Sequence, residues 1–183
     1  MEAPPFPAAA IAAARDAVKA HLRIEGASED AAIERVAVTA LALGEAFTGT
    51  AWFARQWQSV TPAIRAWQLL GTAPVTAITA VEGLPADGAA FALPAEAFAI
   101  DIDANGQGWV RVMAAGAAGR VRVTFAAGAA AGWGDLPPPL AQGAVLLAAH
   151  CLEARAEGAA PPAVVAALWR PWRRIRLTDR RCA

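Results

Sequence analysis

The sequence has little of what secreted, membrane-spanning or metal-binding proteins use. Two cysteines, Cys151 and Cys182, are too few for a disulfide framework, and reduced thiols are expected. Gly, Pro or a charge interrupts every apolar run before the roughly 20 residues that a membrane span needs, so no membrane partner is predicted. Residues 1–7 lack the basic and apolar regions of a signal peptide. These absences favour a protein made in the cytoplasm.

Side chains for catalysis are also scarce, with two histidines in 183 residues and no G-x-S-x-G or phosphate-binding glycine motif. His150 and Cys151 are adjacent in a helical pattern and point about 100° apart, which prevents a direct nucleophile–base hydrogen bond. Zinc needs three or four suitably spaced ligands, which these residues and Cys182 do not supply. Asp101 and Asp103 could share acid–base or calcium chemistry, but they flank a hairpin turn and are more typical of a solvated strand end. We predict no enzyme activity, no metal and no cofactor.

Charge is balanced overall but unevenly distributed. Sixteen basic and sixteen acidic residues cancel, whereas a nucleic-acid-binding protein usually has a basic excess. The last fourteen residues contain six arginines, opposed only by Asp179. This asymmetry predicts a C-terminal tail that binds an acidic partner. Trp169 and Trp172 lie among these arginines, and three roles are open for them: interface anchors, stacking platforms for nucleic-acid bases, or anchors of the tail on its own helices.

Hydrophobic periodicity places helices at both ends of the chain and strands between them. Residues 8–23, 28–48, 137–157 and 163–170 have helical patterns, with Ser28 as a predicted N-cap and Gly49 as a predicted helix end. Residues 98–102, 109–113 and 120–125 alternate as half-buried strands, and Asn105-Gly106 predicts a tight hairpin turn. The sheet core is predicted to contain four tryptophans: Trp52, Trp57, Trp67 and Trp109.

The fold class that follows is α+β and mainly helical. A helix bundle is formed from both chain ends, with an inserted antiparallel β-meander whose three strands follow two or three earlier ones. We expect a single domain over residues 1–183. Its parts are a helical bundle from 8–49 and 136–170, a β-rich insertion over 50–126, and an arginine-rich C-terminal tail over 171–183.

Several segments together resemble the head–tail connector (adaptor) proteins of long-tailed phages and of gene transfer agent particles. The first is Val18-Lys19-Ala20-His21-Leu22-Arg23-Ile24, followed by an acidic helix start at 28–33 and by Phe47-Thr48-Gly49. The second runs from Val121 to Gly128, through Trp133-Gly134-Asp135-Leu136-Pro137, to the helix around Leu146–Glu153. The ending over 168–177, with Pro171-Trp172-Arg173, is similar to the family's "L-x-P-Y-R-x-x-R-L", with Trp in place of Tyr. The resemblance covers residues 15–60 and 120–177.

This resemblance implies a structural subunit that forms a ring with itself, a dodecamer in the family, between the portal protein and a tail-side neck protein. DNA passes through the ring without sequence-specific binding. The protein would leave the cytoplasm for the neck of a phage or phage-like particle. Related adaptors engage the portal with their C-terminal segment, which implies portal binding here by nine residues: Trp169, Arg170, Pro171, Trp172, Arg173, Arg174, Ile175, Arg176 and Leu177. Two alternatives are a nucleic-acid-binding protein that uses its Arg/Trp tail, and another neck protein such as a head-completion or tail-terminator protein.

Overall fold

A computed structural model describes residues 3–153 and 160–174. The described helices are α1 (Ala8–Leu22), α2 (Asp30–Thr48), α3 (Pro138–Glu153) and α4 (Ala163–Trp169). The strands are β1 (Arg55–Pro62), β2 (Gln68–Leu69), β3 (Val75–Pro85), β4 (Phe91–Ala92), β5 (Phe98–Ile102), β6 (Gly108–Val112) and β7 (Ala118–Ala127). Single turns of 3-10 helix occur at Ala95–Ala97, Trp133–Asp135 and Arg170–Trp172. No helix among the described residues is long and apolar enough to cross a membrane.

The chain divides into two compact units, and the α+β class is confirmed. The helical unit contains residues 8–50 and the described residues from Leu136 onward. The β unit contains the described residues up to Pro7 and residues 51–135.

In the helical unit, α1 packs against α2 and α3 through small residues spaced four apart. Ala10, Ala14 and Val18 are buried on one face of α1, as the period of an α-helix requires. Lys19 Nζ on α1 lies 2.6 Å from the Asp30 carboxylate on α2, and Arg15 lies 2.8 Å from Glu34. These ion pairs hold the two helices together where the connection between them is short.

The predicted N-cap at Ser28 is wrong. Helix α2 begins at Asp30, its capping residue is Glu29, and no side chain caps its N-terminus. The Asp30 N–H donates to the Ala27 carbonyl. Lys19 closes the loop from α1 separately, since its ammonium group donates to the Gly26 carbonyl and to the Asp30 carboxylate. The predicted end at Gly49 is confirmed: Gly49 has φ +68°, and its N–H donates to the Glu45 carbonyl.

The β unit contains two antiparallel sheets, with strand orders β1-β7-β3-β4 and β2-β6-β5. Their buried faces share a core that includes Trp57, Val81, Val110, Val121 and Phe125. The predicted three-strand meander over residues 98–125 is correct only for β5 and β6. Strand β7 pairs with β1 and β3 instead, because its ten residues bury enough apolar surface to occupy the centre of the larger sheet.

The hairpin between β5 and β6 is confirmed, with Gly106 at φ +69°. Asp103 organises this turn. Its Oδ1 accepts the N–H groups of Asn105 and Gln107 at 2.8 and 2.9 Å, and its Oδ2 accepts the Trp109 indole N–H at 3.2 Å. Asp103 is therefore a turn-stabilising residue, whereas Asp101 is exposed on the strand.

The predicted tryptophan core is correct only for Trp57, which belongs to the shared core and whose indole N–H donates to the Ala127 carbonyl. Trp52 is buried but is not part of that core, and Trp109 is half-buried. Trp67 is 43% exposed and lies directly before β2, where the Arg111 guanidinium lies 4.9 Å from its ring centroid. The alternation around Trp67 is poor, so the sequence carries no reliable sign of which way its ring points.

Candidate functional site

The C-terminal segment begins with a tryptophan that is inserted into the helical unit. Val165 and Trp169, four residues apart on α4, are both 3% exposed. The Trp169 indole N–H donates to the Leu140 carbonyl at 3.3 Å, and its ring centroid lies 6.0 Å from that of Phe47 on α2. Trp169 thus joins α4 to α2 and α3.

Gly143 on α3 makes room for this indole. A Cβ atom at Gly143 would lie 2.2 Å from Trp169 Nε1 and 2.8 Å from Cε2, well inside van der Waals contact. Glycine in a helix interior is about 1 kcal/mol less favourable than alanine. The close approach of the Trp169 ring explains why this alanine-rich helix has a glycine here.

After Trp169 the chain turns and is fixed again at the end of α2. Pro171 lies in a single 3-10 turn over Arg170–Trp172, and Arg173 then adopts an extended conformation at φ −72° and ψ 121°. The backbone N–H of Arg174 donates to the Thr48 carbonyl at 2.8 Å. The described segment from 170 to 174 is therefore held at both ends by its own helices.

Its side chains, in contrast, face outward. Trp172 is 42% exposed, and the side chains of Arg170, Arg173 and Arg174 are exposed as well. The Arg173 guanidinium lies 5.7 Å from the Phe47 ring centroid. Within residues 3–153 and 160–174, neither Arg170 nor Arg173 forms an ion pair. An exposed indole beside guanidinium groups suits recognition of an acidic, partly apolar surface.

The nine predicted portal-binding residues therefore fall into three groups. Trp169 packs inside the helical unit, which is the intramolecular alternative considered for it. The exposed surface comprises Arg170, Pro171, Trp172, Arg173 and Arg174. Ile175, Arg176 and Leu177 lie outside the described residues. Portal binding by this segment stays a prediction, and no sequence pattern indicated Phe47 or Thr48 as its support.

The other candidate residues do not form a site. His150 and Cys151 are half-buried neighbours on α3, and Cys182 lies outside the described residues. In the described part of the chain, no group of three or more His, Cys, Asp or Glu side chains could hold a metal ion.

The similar proteins that were found are all chains of solved structures. No family model matches the chain, and no curated protein matches it. A chain in a structure described as "Neck of empty GTA particle computed with C6 symmetry" is 30% identical, with a TM-score of 0.78, and the match covers 98% of each chain. A chain in "Neck of native GTA particle computed with C12 symmetry" is 31% identical, with a TM-score of 0.76 and 98% coverage of both.

A third similar chain belongs to the "Virion of native gene transfer agent (GTA) particle". It is 32% identical, with a TM-score of 0.72, and the match covers 98% of this chain and 97% of that one. All three matches include both the helical unit and the β unit. The β-rich segment between the two resembling regions, for which the sequence offered no match, is thus part of the shared fold.

Proposed function

Since the chain belongs to the neck (head–tail connector) family of phages and gene transfer agent particles, we propose that it is a non-enzymatic adaptor subunit that forms a ring between portal and tail. The observation that carries this proposal is the match over 98% of both chains to a neck protein at 30% identity. The neighbours come from necks computed with sixfold and twelvefold symmetry, which supports a closed homo-oligomeric ring, such as the expected dodecamer.

The C-terminal segment supports the proposed contact with the portal. Trp169 and the Arg174 N–H fix the backbone on the helical unit, and Trp172, Arg170 and Arg173 remain exposed. Guanidinium groups form bidentate hydrogen bonds with carboxylates, so an acidic surface on the portal is the expected partner. The zero formal net charge suits a channel through which DNA slides, because tight binding of DNA needs many basic contacts to phosphates.

The proposal is tested by changing the exposed residues while keeping Trp169. Arg170→Glu/Trp172→Ala/Arg173→Glu should give DNA-filled heads without tails, counted by electron microscopy of particles. Arg35→Glu, an exposed arginine on α2, is the matched control and should give normal particles. Normal tailed particles from the triple variant would refute the portal contact.

The exposed Trp172 and arginines also fit the second candidate function, binding of nucleic acid by the tail. That function predicts tight binding of a purified monomer to DNA at physiological salt, with affinity that falls steeply as salt rises. The adaptor proposal predicts no such binding. A fluorescence anisotropy titration with double-stranded and single-stranded DNA separates the two.

A further inference from the structure

Strand β1 is an unusually open sheet edge. It lies at one end of the order β1-β7-β3-β4 and pairs with β7 over eight residues without a bulge. Among the described residues, the backbone of Gln56–Thr61 has no hydrogen-bond partner other than β7. Its exposed side chains, Gln56, Gln58 and Val60, are uncharged. Soluble proteins normally protect such edges with lysine, proline or bulges, and between Gln56 and Thr61 none of these is present.

The outer edge of β3 shows the difference. The pairing of β3 with β7 shifts in register between Val75 and Ala77 and again between Ile78 and Ala80, so β3 is irregular there, and β4 pairs with its outer edge at Glu82 and Gly83. Irregularities of this kind discourage another strand from pairing. Protection of one edge and openness of the other indicate that β1 is kept available for a partner.

A groove runs beside the open edge. It has a volume of about 730 Å³ and is lined by Gln58–Thr61 of β1, by Leu69, Leu70 and Gly71 at the end of β2, and by Arg122 of β7. The Thr61 hydroxyl, which lies in this lining, is buried and has no hydrogen-bond partner within the described residues. The groove thus combines unpaired backbone groups, leucine side chains and an unpaired hydroxyl. An extended chain in it can form hydrogen bonds with the backbone and the hydroxyl and can pack on the leucines.

Strand β5 is a complementary edge on the same β unit. It is the last strand of the order β2-β6-β5, and Ile100 and Ile102 are 44% and 38% exposed although Val110, opposite Ile100, is fully buried. Asp101 lies between them on the other face. In the smaller sheet, β5 lies near β3, whereas β2 borders the groove beside β1. The open edges of β1 and β5 therefore face opposite sides of the β unit.

We propose that β1 of one copy of this chain pairs with β5 of a second copy, with Ile100 and Ile102 over the groove and Asp101 on the exposed face. Contact between two different edges is heterologous, so each subunit offers one edge to each neighbour and a rotation closes the ring.

The charges near the two edges agree with this pairing. Arg122 and Arg120 lie opposite Val60 and Pro62 on β7, and β1 itself has no carboxylate. Arg122 already contacts Glu82 at 3.4 Å, which leaves Arg120 as the freer partner for Asp101. This inference rests on the proposed ring.

Disulfide trapping in assembled particles tests the pairing. In a chain whose two native cysteines are replaced by alanine, Asp101→Cys is combined in turn with Gln56→Cys, Gln58→Cys or Val60→Cys. Facing residues of paired strands have Cα atoms about 4.5–5.5 Å apart, within the reach of a disulfide. The expected result is a ladder of covalent multimers from at least one combination. Ala89→Cys with Asp101→Cys, on the exposed loop before β4, should give none.

A failure of this inference can be told apart from a failure of the proposed function. If the protein is present in the neck and no combination gives a ladder, the β1–β5 pairing is refuted while the adaptor proposal stands. Covalent dimers from Gln58→Cys alone would also refute it, because they indicate β1–β1 pairing. Absence of the protein from purified necks would refute the adaptor function and, with it, this inference.

A charge exchange provides the second measurement. A glutamate at the β1 position that forms the disulfide with Asp101→Cys, whether Gln56, Gln58 or Val60, places a carboxylate opposite Asp101 of the neighbour. It should reduce incorporation into necks without changing the thermal stability of the isolated protein, since all three side chains are exposed. Combining it with Asp101→Lys should restore incorporation. Normal incorporation of the glutamate variant, or no restoration by the second change, would overturn the pairing.

Discussion

The fit between Gly143 and Trp169 allows a quantitative prediction. In Gly143→Ala, the new Cβ would lie 2.2 Å from Trp169 Nε1, so the indole must move and its hydrogen bond to the Leu140 carbonyl is lost. Overpacking destabilises the folded protein by about 1–3 kcal/mol, and loss of the hydrogen bond by about 1 kcal/mol. The higher helix propensity of alanine offsets about 1 kcal/mol of this loss. The expected net loss in the free energy of unfolding is about 2 kcal/mol, or about 4–8 °C in Tm for a chain of this size.

The assay is thermal and urea unfolding followed by circular dichroism, with a double-mutant cycle. Gly143→Ala should cost much less when Trp169 is already alanine, because the clash is then absent. Gly134→Ala is the control, since a Cβ there meets nothing within 4 Å and should change Tm little. If Gly143→Ala is as stable as the parent protein, or if its cost is the same with and without the indole, the assigned position of Trp169 is wrong.

Two further predictions concern the β unit. The Arg55 guanidinium lies 4.4 Å from the Phe6 ring centroid and 4.8 Å from that of Trp57, and it donates to the Pro4 carbonyl. Arg55→Ala should therefore lower the free energy of unfolding in urea by about 2–3 kcal/mol and speed proteolysis near Phe6. Unchanged cleavage would contradict this anchoring. Asp103→Ala removes the acceptor of three N–H groups and should cost about 1–3 kcal/mol, whereas Asp101→Ala on the exposed face should change stability by less than about 0.5 kcal/mol; equal costs would refute the distinction.

The sequence predicted those parts of the fold that depend on local chemistry. Helical spacing located α1 and α2, the left-handed conformation at Gly49 ended α2, and Asn105-Gly106 placed the hairpin. Each of these features is determined by residues within one or two turns of it. The class of the fold followed because helices at both ends and strands between them leave few ways to bury their apolar faces.

Features set by distant residues were harder to predict. The alternating pattern of β7 is compatible with a position beside β6 or with one between β1 and β3. The observed place between β1 and β3 depends on the packing of both sheets. Ser28 does not cap α2, because the helix begins at Asp30, and the loop before it is closed by the ammonium group of Lys19, nine residues before Ser28. The support of the C-terminal segment by Phe47 and Thr48 follows from tertiary contacts between residues more than 100 positions apart, which no local pattern indicates.

The two tryptophans that flank Pro171 have opposite surroundings, and this bears on how the segment could bind. Ordering the backbone of one residue costs about 1–2 kcal/mol, and binding must offset that cost when a free tail docks. Here Trp169 and the Arg174 N–H already hold residues 170–174 on the helical unit. Docking therefore has to order the exposed side chains of Arg170, Trp172 and Arg173, at about 0.5–1.5 kcal/mol each. A change that releases Trp169 should weaken docking even though the exposed side chains are unaltered, because the cost of ordering the backbone returns.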